Sequence, residues 1–267
     1  VTPFRIVADS GCNLPPWLRQ RFNIYQIPFV GILDADVCLK HLQPLLTDDS
    51  PDSLASGEGL LFIHSARAVG VDVESIDELF SQLAQQYPDR DICAVDSRSV
   101  SVGCGRIVMQ AGELREDGSS LSDTARWIEE NRLFALQYFS RRFGGSDDAA
   151  FEIVRIDDQG ILTAQHTDVL GAGRPAYGDG AEESSTEEGL DVLLDLFETR
   201  ARKPYKAHAV NIVHADNADA AEILAFEINE RFGVNKPMFI EMEENLARVL
   251  GTGTVGLLFW GEEDKRV

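Results

Sequence analysis

Only four cysteines occur in the sequence, Cys12, Cys38, Cys93 and Cys104, and no two of them form a CxxC pair or a zinc-ligand spacing. No metal site is expected, and reduced, partly buried thiols in a cytoplasmic protein are the simplest reading. No apolar run approaches the roughly 18 residues that a membrane span needs. Val1-Thr2-Pro3-Phe4-Arg5 leads straight into an apolar strand, without the basic flank and apolar stretch of a signal peptide. Positive charge is scarce: 24 Lys and Arg face 45 Asp and Glu, a net charge of −21. A surface that negative repels phosphate backbones and anionic headgroups. It argues against nucleic-acid binding and electrostatic docking on a membrane, and for solubility, and no stable membrane insertion is expected. GxxxxGK[ST], HExxH and GxSxG are absent. No phosphate-cradling loop, zincin site or hydrolase elbow is therefore expected.

What is present is the balance of a globular protein. Of 267 residues, 44% are hydrophobic and 26% charged, enough to bury one large or two modest cores. The first half alternates strand and helix signals. Phe4 to Ala8 reads as a strand ending at Asp9-Ser10-Gly11, and Pro15-Pro16 opens a helix. Tyr25 to Leu33 reads as a second strand and residues 43–58 as a loop. Leu60 to Ile63 and Ile92 to Val95 read as buried strands. Ile76, Leu79, Phe80, Leu83 and Tyr87 recur at helical spacing, Val102 to Glu116 reads as a helix, and Ser120-Leu121-Ser122-Asp123 has capping-box spacing. This alternation predicts parallel βαβ units with helices on both faces of the sheet.

The second half changes character. Leu133 to Phe139 reads as a strand, and Phe151 to Ile156 and Ile161 to Ala164 as a hairpin turning at Asp157-Asp158-Gln159-Gly160. Residues 171–186 read as a mobile loop and Ser185-Thr186-Glu187-Glu188 as a capping box. Two amphipathic helices follow, through Leu190, Leu193, Leu194 and Phe197, and through Ala221, Leu224, Ala225, Ile228 and Phe232. The expected architecture is α/β with two domains: a parallel-sheet α/β domain over 1–132 and an α+β domain over 133–267. Ligands favour such a seam, beyond the C-terminal ends of parallel strands.

Individual motifs point mostly to structure. Gly251-Thr252-Gly253-Thr254-Val255-Gly256 fits GxGxxG, but a strand-like Leu257-Leu258-Phe259-Trp260 follows where a dinucleotide site needs a helix. No nicotinamide or flavin cofactor is expected. Asp9-Ser10, Ser65 and Asp96-Ser97 each follow a strand. As bare spacing they read first as helix caps and second as an anion site made of hydroxyls and helix N-termini. Asp216 or Asn217 reads as the cap of the following helix, and His214 as structural. Gly103-Cys104-Gly105 reads as close helix–sheet packing.

Taken in order, several segments resemble the DegV family. Asp9-Ser10 with Leu14-Pro15 is similar to its opening "TDS…DLP", and Ile24 to Pro28 to the strand after it. Asp96 to Gly103 is similar to "DSKSASMG", Ile212 to Asn217 to "IVHADN", and Gly251 to Thr254 to "GTHTGPG". The resemblance implies a non-enzymatic, two-domain carrier holding one long-chain fatty acid in a tunnel between its domains, and possible presentation of that acid to a fatty acid kinase. Burying a chain of ~14–18 carbons at about 0.8 kcal/mol per methylene yields on the order of 10 kcal/mol as an upper bound. Its carboxylate needs donors.

At those donors the sequence departs from the family. Thr47-Asp48-Asp49-Ser50-Pro51 answers to "TSQPSP" with Asp48 in place of a serine. His64 to Gly70 answers to "SSGLSGTY", keeping Ser65 but with Val69 for the later serine, and Gly253 stands where the family has a histidine. Of "LKRGGRIS" only Ser140 to Gly145 remains. The resemblance then implies a head-group site at Thr47, Ser65, Thr252 and Thr254, with Arg67 as a substitute cation, since a guanidinium holds a carboxylate through two parallel hydrogen bonds. Two other readings stand beside it: a diverged relative that has lost lipid binding and acts through protein contacts, and an enzyme on the same fold.

Overall fold

The structure is a computed structural model of the chain and describes residues 2–47, 53–143, 150–164, 186–235 and 237–262. They form two compact units, Val1–Arg132 with Glu243–Asn245, and Leu133–Met242 with Leu246–Val267. The short segment Glu243–Asn245 thus belongs with residues far earlier in the chain.

The first unit is built on a four-stranded, all-parallel sheet of β1 (Phe4–Asp9), β2 (Ile24–Ile27), β3 (Gly59–His64) and β4 (Ile92–Asp96), in the order β2-β1-β3-β4. Every residue of β3 is buried, which is why it reads as a continuous apolar run rather than an alternation. Three helices connect the strands, α1 (Pro16–Arg21), α2 (Ala35–Leu46) and α3 (Val73–Gln86), and two follow β4, α4 (Ser101–Glu116) and α5 (Leu121–Asn131). Pro16 takes the first helical position of α1, where its missing N–H costs nothing. Ser120 caps α5 by accepting from the Asp123 amide at 3.1 Å, as the capping-box spacing predicts.

Two sequence expectations fail in this unit. The strand expected over Tyr25 to Leu33 stops at Ile27, where Pro28 has no N–H to continue the ladder. The loop expected from residue 43 begins later, because α2 runs to Leu46 with Pro44 inside it. Asp34 starts that helix by accepting from the Val37 amide at 3.0 Å. Buried Cys38, Leu42, Leu45 and Leu46 hold it, and their burial outweighs the one backbone hydrogen bond that proline removes.

The second unit carries a six-stranded sheet in the order β7-β6-β5-β10-β8-β9. Its strands are β5 (Ala135–Phe143), β6 (Ala150–Ile156), β7 (Leu162–Ala164), β8 (Asn211–His214), β9 (Met238–Glu241) and β10 (Val255–Trp260). β8 and β9 are parallel and the other pairs antiparallel. The β6–β7 turn forms as the sequence predicts: Asp157 Oδ1 accepts from the amides of Gln159 and Ile161, both at 2.9 Å. Helices α6 (Thr186–Arg200) and α7 (Ala218–Phe232) pack on each other and on this sheet. Leu193, Phe197, Leu224 and Ile228 meet Leu136, Tyr138, Ile212 and Leu257 in its core. A third helix, α8 (Glu244–Leu250), lies in a stretch that the sequence reading leaves unassigned. The loop expected over 171–186 and Ser185 of the second capping box fall outside the described residues.

The glycine motif resolves as structure. Residues 251–254 form the turn between α8 and β10, and β10 begins at Val255. Gly256 pairs with Phe139 across the sheet, and a Cβ there would overlap the Phe139 ring. The motif leads directly into strand β10, where a dinucleotide site needs a helix N-terminus to present amides to a pyrophosphate.

Candidate functional site

A buried polar cluster occupies the C-terminal ends of the parallel strands. β1 ends in Asp9 and β3 in His64, and Asp9, His64, Ser65, Ser97, Ser99 and Ser101 are all fully buried. Asp9 is its hub. Oδ1 accepts from the Gly11 amide at 2.7 Å and the Ser65 hydroxyl at 2.8 Å, while Oδ2 accepts from the Ser65 amide at 2.6 Å. Burial raises the Asp9 pKa above the ordinary carboxylate value, and those hydrogen bonds and nearby His64 offset part of the rise. The His64 Nδ1 sits 2.9 Å from the Ser65 carbonyl oxygen, which requires the proton to be on Nδ1. Its Nε2 is buried without a hydrogen-bond partner among the described residues.

The adjoining segment after β4 is tightly folded. The Ser97 hydroxyl accepts from the Ser99 amide at 3.2 Å, and the Asn13 side chain donates to the Ser101 hydroxyl at 3.2 Å. Arg98, Ser101 and Asn13 all take left-handed backbone, with φ of 47°, 48° and 49°. Such conformations in non-glycine residues persist only where surrounding contacts impose them.

Next to this cluster lies an open cleft of about 450 Å³ lined by Ser10, Pro28, Phe29, Val30, Glu243, Glu244 and Asn245, a volume in the range of small-molecule sites. Ser10 and Asn245 shape it. The Ser10 hydroxyl accepts from the Phe29 amide at 3.1 Å. Asn245, itself buried, accepts from the Gly31 amide at 3.0 Å and donates to the Phe29 carbonyl at 3.3 Å. Phe29 and Val30 supply apolar side chains to the lining, and Glu243 and Glu244 supply carboxylates, with Glu243 accepting from the Asn245 amide at 2.7 Å.

No protein-family model matches the chain. Against curated proteins, it is 25% identical over 222 residues to a DegV domain-containing protein of Clostridium perfringens, covering 77% of this chain and 71% of that one. Among solved structures, a DegV family protein from Thermus thermophilus, described as binding fatty acid, superposes with a TM-score of 0.72 at 17% identity, over 97% of this chain and 100% of the other. A DegV family protein from Eubacterium eligens, solved loaded with heptadecanoic acid, gives a TM-score of 0.70 at 13% identity, over 96% and 99%. The chain has the DegV fold. That is the fold the ordered segments of the sequence resemble.

The residues that the resemblance implies for a head-group site have these places. Ser65 is in the buried cluster, its hydroxyl proton committed to Asp9. Thr47 ends α2, and its hydroxyl donates to the Gln43 carbonyl at 3.1 Å. Arg67 is exposed and pairs with Glu74 at 3.0 Å. In the second unit, Thr252 is exposed. Thr254 is fully buried, with its hydroxyl donating to the carbonyls of Gly251 at 2.8 Å and Leu250 at 3.2 Å. Asp48 to Pro51 lie outside the described residues, as do Gly144 and Gly145.

Three features of the site go beyond what sequence reasoning draws out. Asp9 reads as a helix cap or part of an anion site, and it does accept from Gly11, but its second oxygen reaches the amide of Ser65, the residue after β3, across 56 residues of sequence. His64 carries no motif that separates it from a core histidine. Asn245 sits in a segment with no strand or helix signal strong enough to read. One cap expectation needs correcting as well. Asn217 takes the cap position of α7 without capping it, and its side chain donates to the Gly253 carbonyl at 2.8 Å instead.

Proposed function

We propose that the protein is a non-enzymatic carrier of a long-chain fatty acid, working in the cytoplasm and presenting the acid to a fatty acid kinase. The observation that carries this reading is the DegV fold, shared over nearly the whole chain with solved proteins described as binding fatty acids. The placement of the acyl chain between the two units is taken over from the resemblance. Its carboxylate is assigned to Thr47, Ser65, Arg67, Thr252 and Thr254. Chemically this requires reorganisation: each of Thr47, Ser65 and Thr254 must turn its hydroxyl proton from a protein acceptor to the ligand, and Arg67 must leave Glu74. A hydroxyl rotates at little cost if its former acceptor keeps other donors, as Asp9 does with two amides. Among the described residues no helix is long and apolar enough to cross a membrane.

The test is direct. Delipidated protein is titrated with palmitate and oleate, and protein purified without delipidation is weighed by native mass spectrometry. Saturable one-to-one uptake supports the reading, and no uptake of any C12–C20 acid overturns it. A second reading, a DegV-like protein that has lost its lipid and acts through protein contacts, is favoured by the same commitments of Ser65 and Arg67. It predicts the negative outcome.

A further inference from the structure

Two of the four thiols meet inside the first unit. Cys12 closes the 3₁₀ turn Ser10–Cys12 that follows β1, and Cys104 lies in the first turn of α4. Their sulfurs are 2.7 Å apart and both side chains are fully buried. The approach is made possible by Gly105, where a Cβ would fall 2.6 Å from the Cys12 carbonyl oxygen. The other two cysteines have separate places: Cys38 is on α2 and Cys93 on β4.

We infer that Cys12 and Cys104 are an oxidisable dithiol that closes to a single disulfide, joining the turn after β1 to α4. The contact links residues 92 apart in sequence, and the sulfurs are already nearer than two unbonded sulfurs ordinarily come, so closing the bond needs little movement. The turn it fixes carries the Gly11 amide that holds Asp9 and the Ser10 hydroxyl that lines the cleft. The inference does not depend on the identity of any ligand.

The oxidant is hydrogen peroxide. One thiol sulfur attacks the peroxide oxygen, the O–O bond breaks, and a sulfenic acid forms with release of water. The second sulfur then displaces the sulfenic hydroxyl, which leaves as a second water with the remaining thiol proton. The two sulfurs lose two electrons and hydrogen peroxide gains them. Burial, and then the neighbouring thiol, push the Cys12 pKa up, so little thiolate is present at neutral pH and the reaction is slow.

The sequence makes the test clean, because trypsin puts the four cysteines on four peptides: 6–19 with Cys12, 22–40 with Cys38, 91–98 with Cys93 and 99–106 with Cys104. The full chain is treated with hydrogen peroxide or dithiothreitol, alkylated in denaturant and digested without reduction. The expected result is peptide 6–19 joined to 99–106 after peroxide, separated again by dithiothreitol, with Cys38 and Cys93 alkylated. The oxidised chain should also melt several degrees higher than the reduced one, and Cys104→Ala should show neither the joined peptide nor the shift. Four alkylated cysteines after peroxide, a different pairing, or an equal thermal shift in Cys104→Ala would each overturn the inference.

Discussion

The Ser65 hydroxyl donates to Asp9 Oδ1 at 2.8 Å while the Ser65 amide donates to Asp9 Oδ2 at 2.6 Å. One residue thus occupies both oxygens of a fully buried carboxylate. Ser65→Ala removes the hydroxyl and leaves Asp9 with only its two amide donors. The expected loss is roughly 1–3 kcal/mol, the range for removing one partner of a buried polar group. Urea unfolding followed by circular dichroism reads it, and an unchanged midpoint would show that the hydroxyl is not held by Asp9.

Asp9 also sets a pH dependence. Its pKa in the folded chain is raised by burial, so folding takes up a proton at pH values where the unfolded carboxyl has ionised. Stability from this group is therefore fully present below the unfolded value of about 3.9 and is lost as pH rises through the folded pKa. The advantage of the wild type over Asp9→Asn should shrink as pH rises from 4 upwards and then level off. Urea midpoints of the two proteins at a series of pH values provide the check. A difference that grows with pH would mean that the folded carboxyl is held below its ordinary value.

Asn245 ties the loop after β2 at two points, the Gly31 amide and the Phe29 carbonyl, more than 200 residues away in sequence. Asn245→Ala should cost roughly 1–3 kcal/mol by taking the acceptor from the Gly31 amide, while the Phe29 carbonyl keeps the Ser10 hydroxyl at 3.3 Å. The Gly31 amide should then exchange with deuterium faster, while amides in β3 keep the protection of the unit as a whole.

The elements legible in the sequence are those whose signal is local. Apolar runs gave β3 and β4, helical spacing gave α3 and α7, and the Asp157–Gly160 turn gave the β6–β7 hairpin. What escaped depends on contacts distant in sequence. α2 survives Pro44 because four of its side chains find a core, and nothing in residues 35–46 announces that core. Asp9 and Ser65 are visible as strand-end residues, but their mutual hydrogen bonds are not. The candidate lipid donors Thr47, Ser65 and Thr254 are legible as residues, while the acceptors that hold their protons emerge only from the fold.

Gly256 offers a test of the motif at the start of β10. A Cβ there would overlap the Phe139 ring and fall 2.9 Å from a Val213 methyl. Gly256→Val should destabilise the second unit by about 1–3 kcal/mol or more through overpacking. Because the motif opens a strand, wild-type protein should show no micromolar binding of nicotinamide or flavin dinucleotides by calorimetry. Such binding, if lost in Gly253→Val, would restore the nucleotide reading.

Arg67 and Glu74 decide between the two functional readings. Their charged groups are 3.0 Å apart, with Arg67 38% and Glu74 74% exposed at the side chain. The Glu74 pKa is lowered by its own backbone amide and by Arg67, so Glu74 is ionised at neutral pH and competes with any ligand carboxylate for the guanidinium. An exposed pair of this kind is weak and easily exchanged. If Arg67 serves the fatty-acid carboxylate, Glu74→Gln should free it and tighten palmitate binding by about two- to five-fold, whereas Arg67→Ala should weaken it. Displacement of a fluorescent fatty acid from delipidated protein measures both. Uptake that is saturable yet unmoved by either change would keep the carrier function and remove Arg67 from its site. An absence of uptake in all three proteins would leave the DegV fold without its lipid.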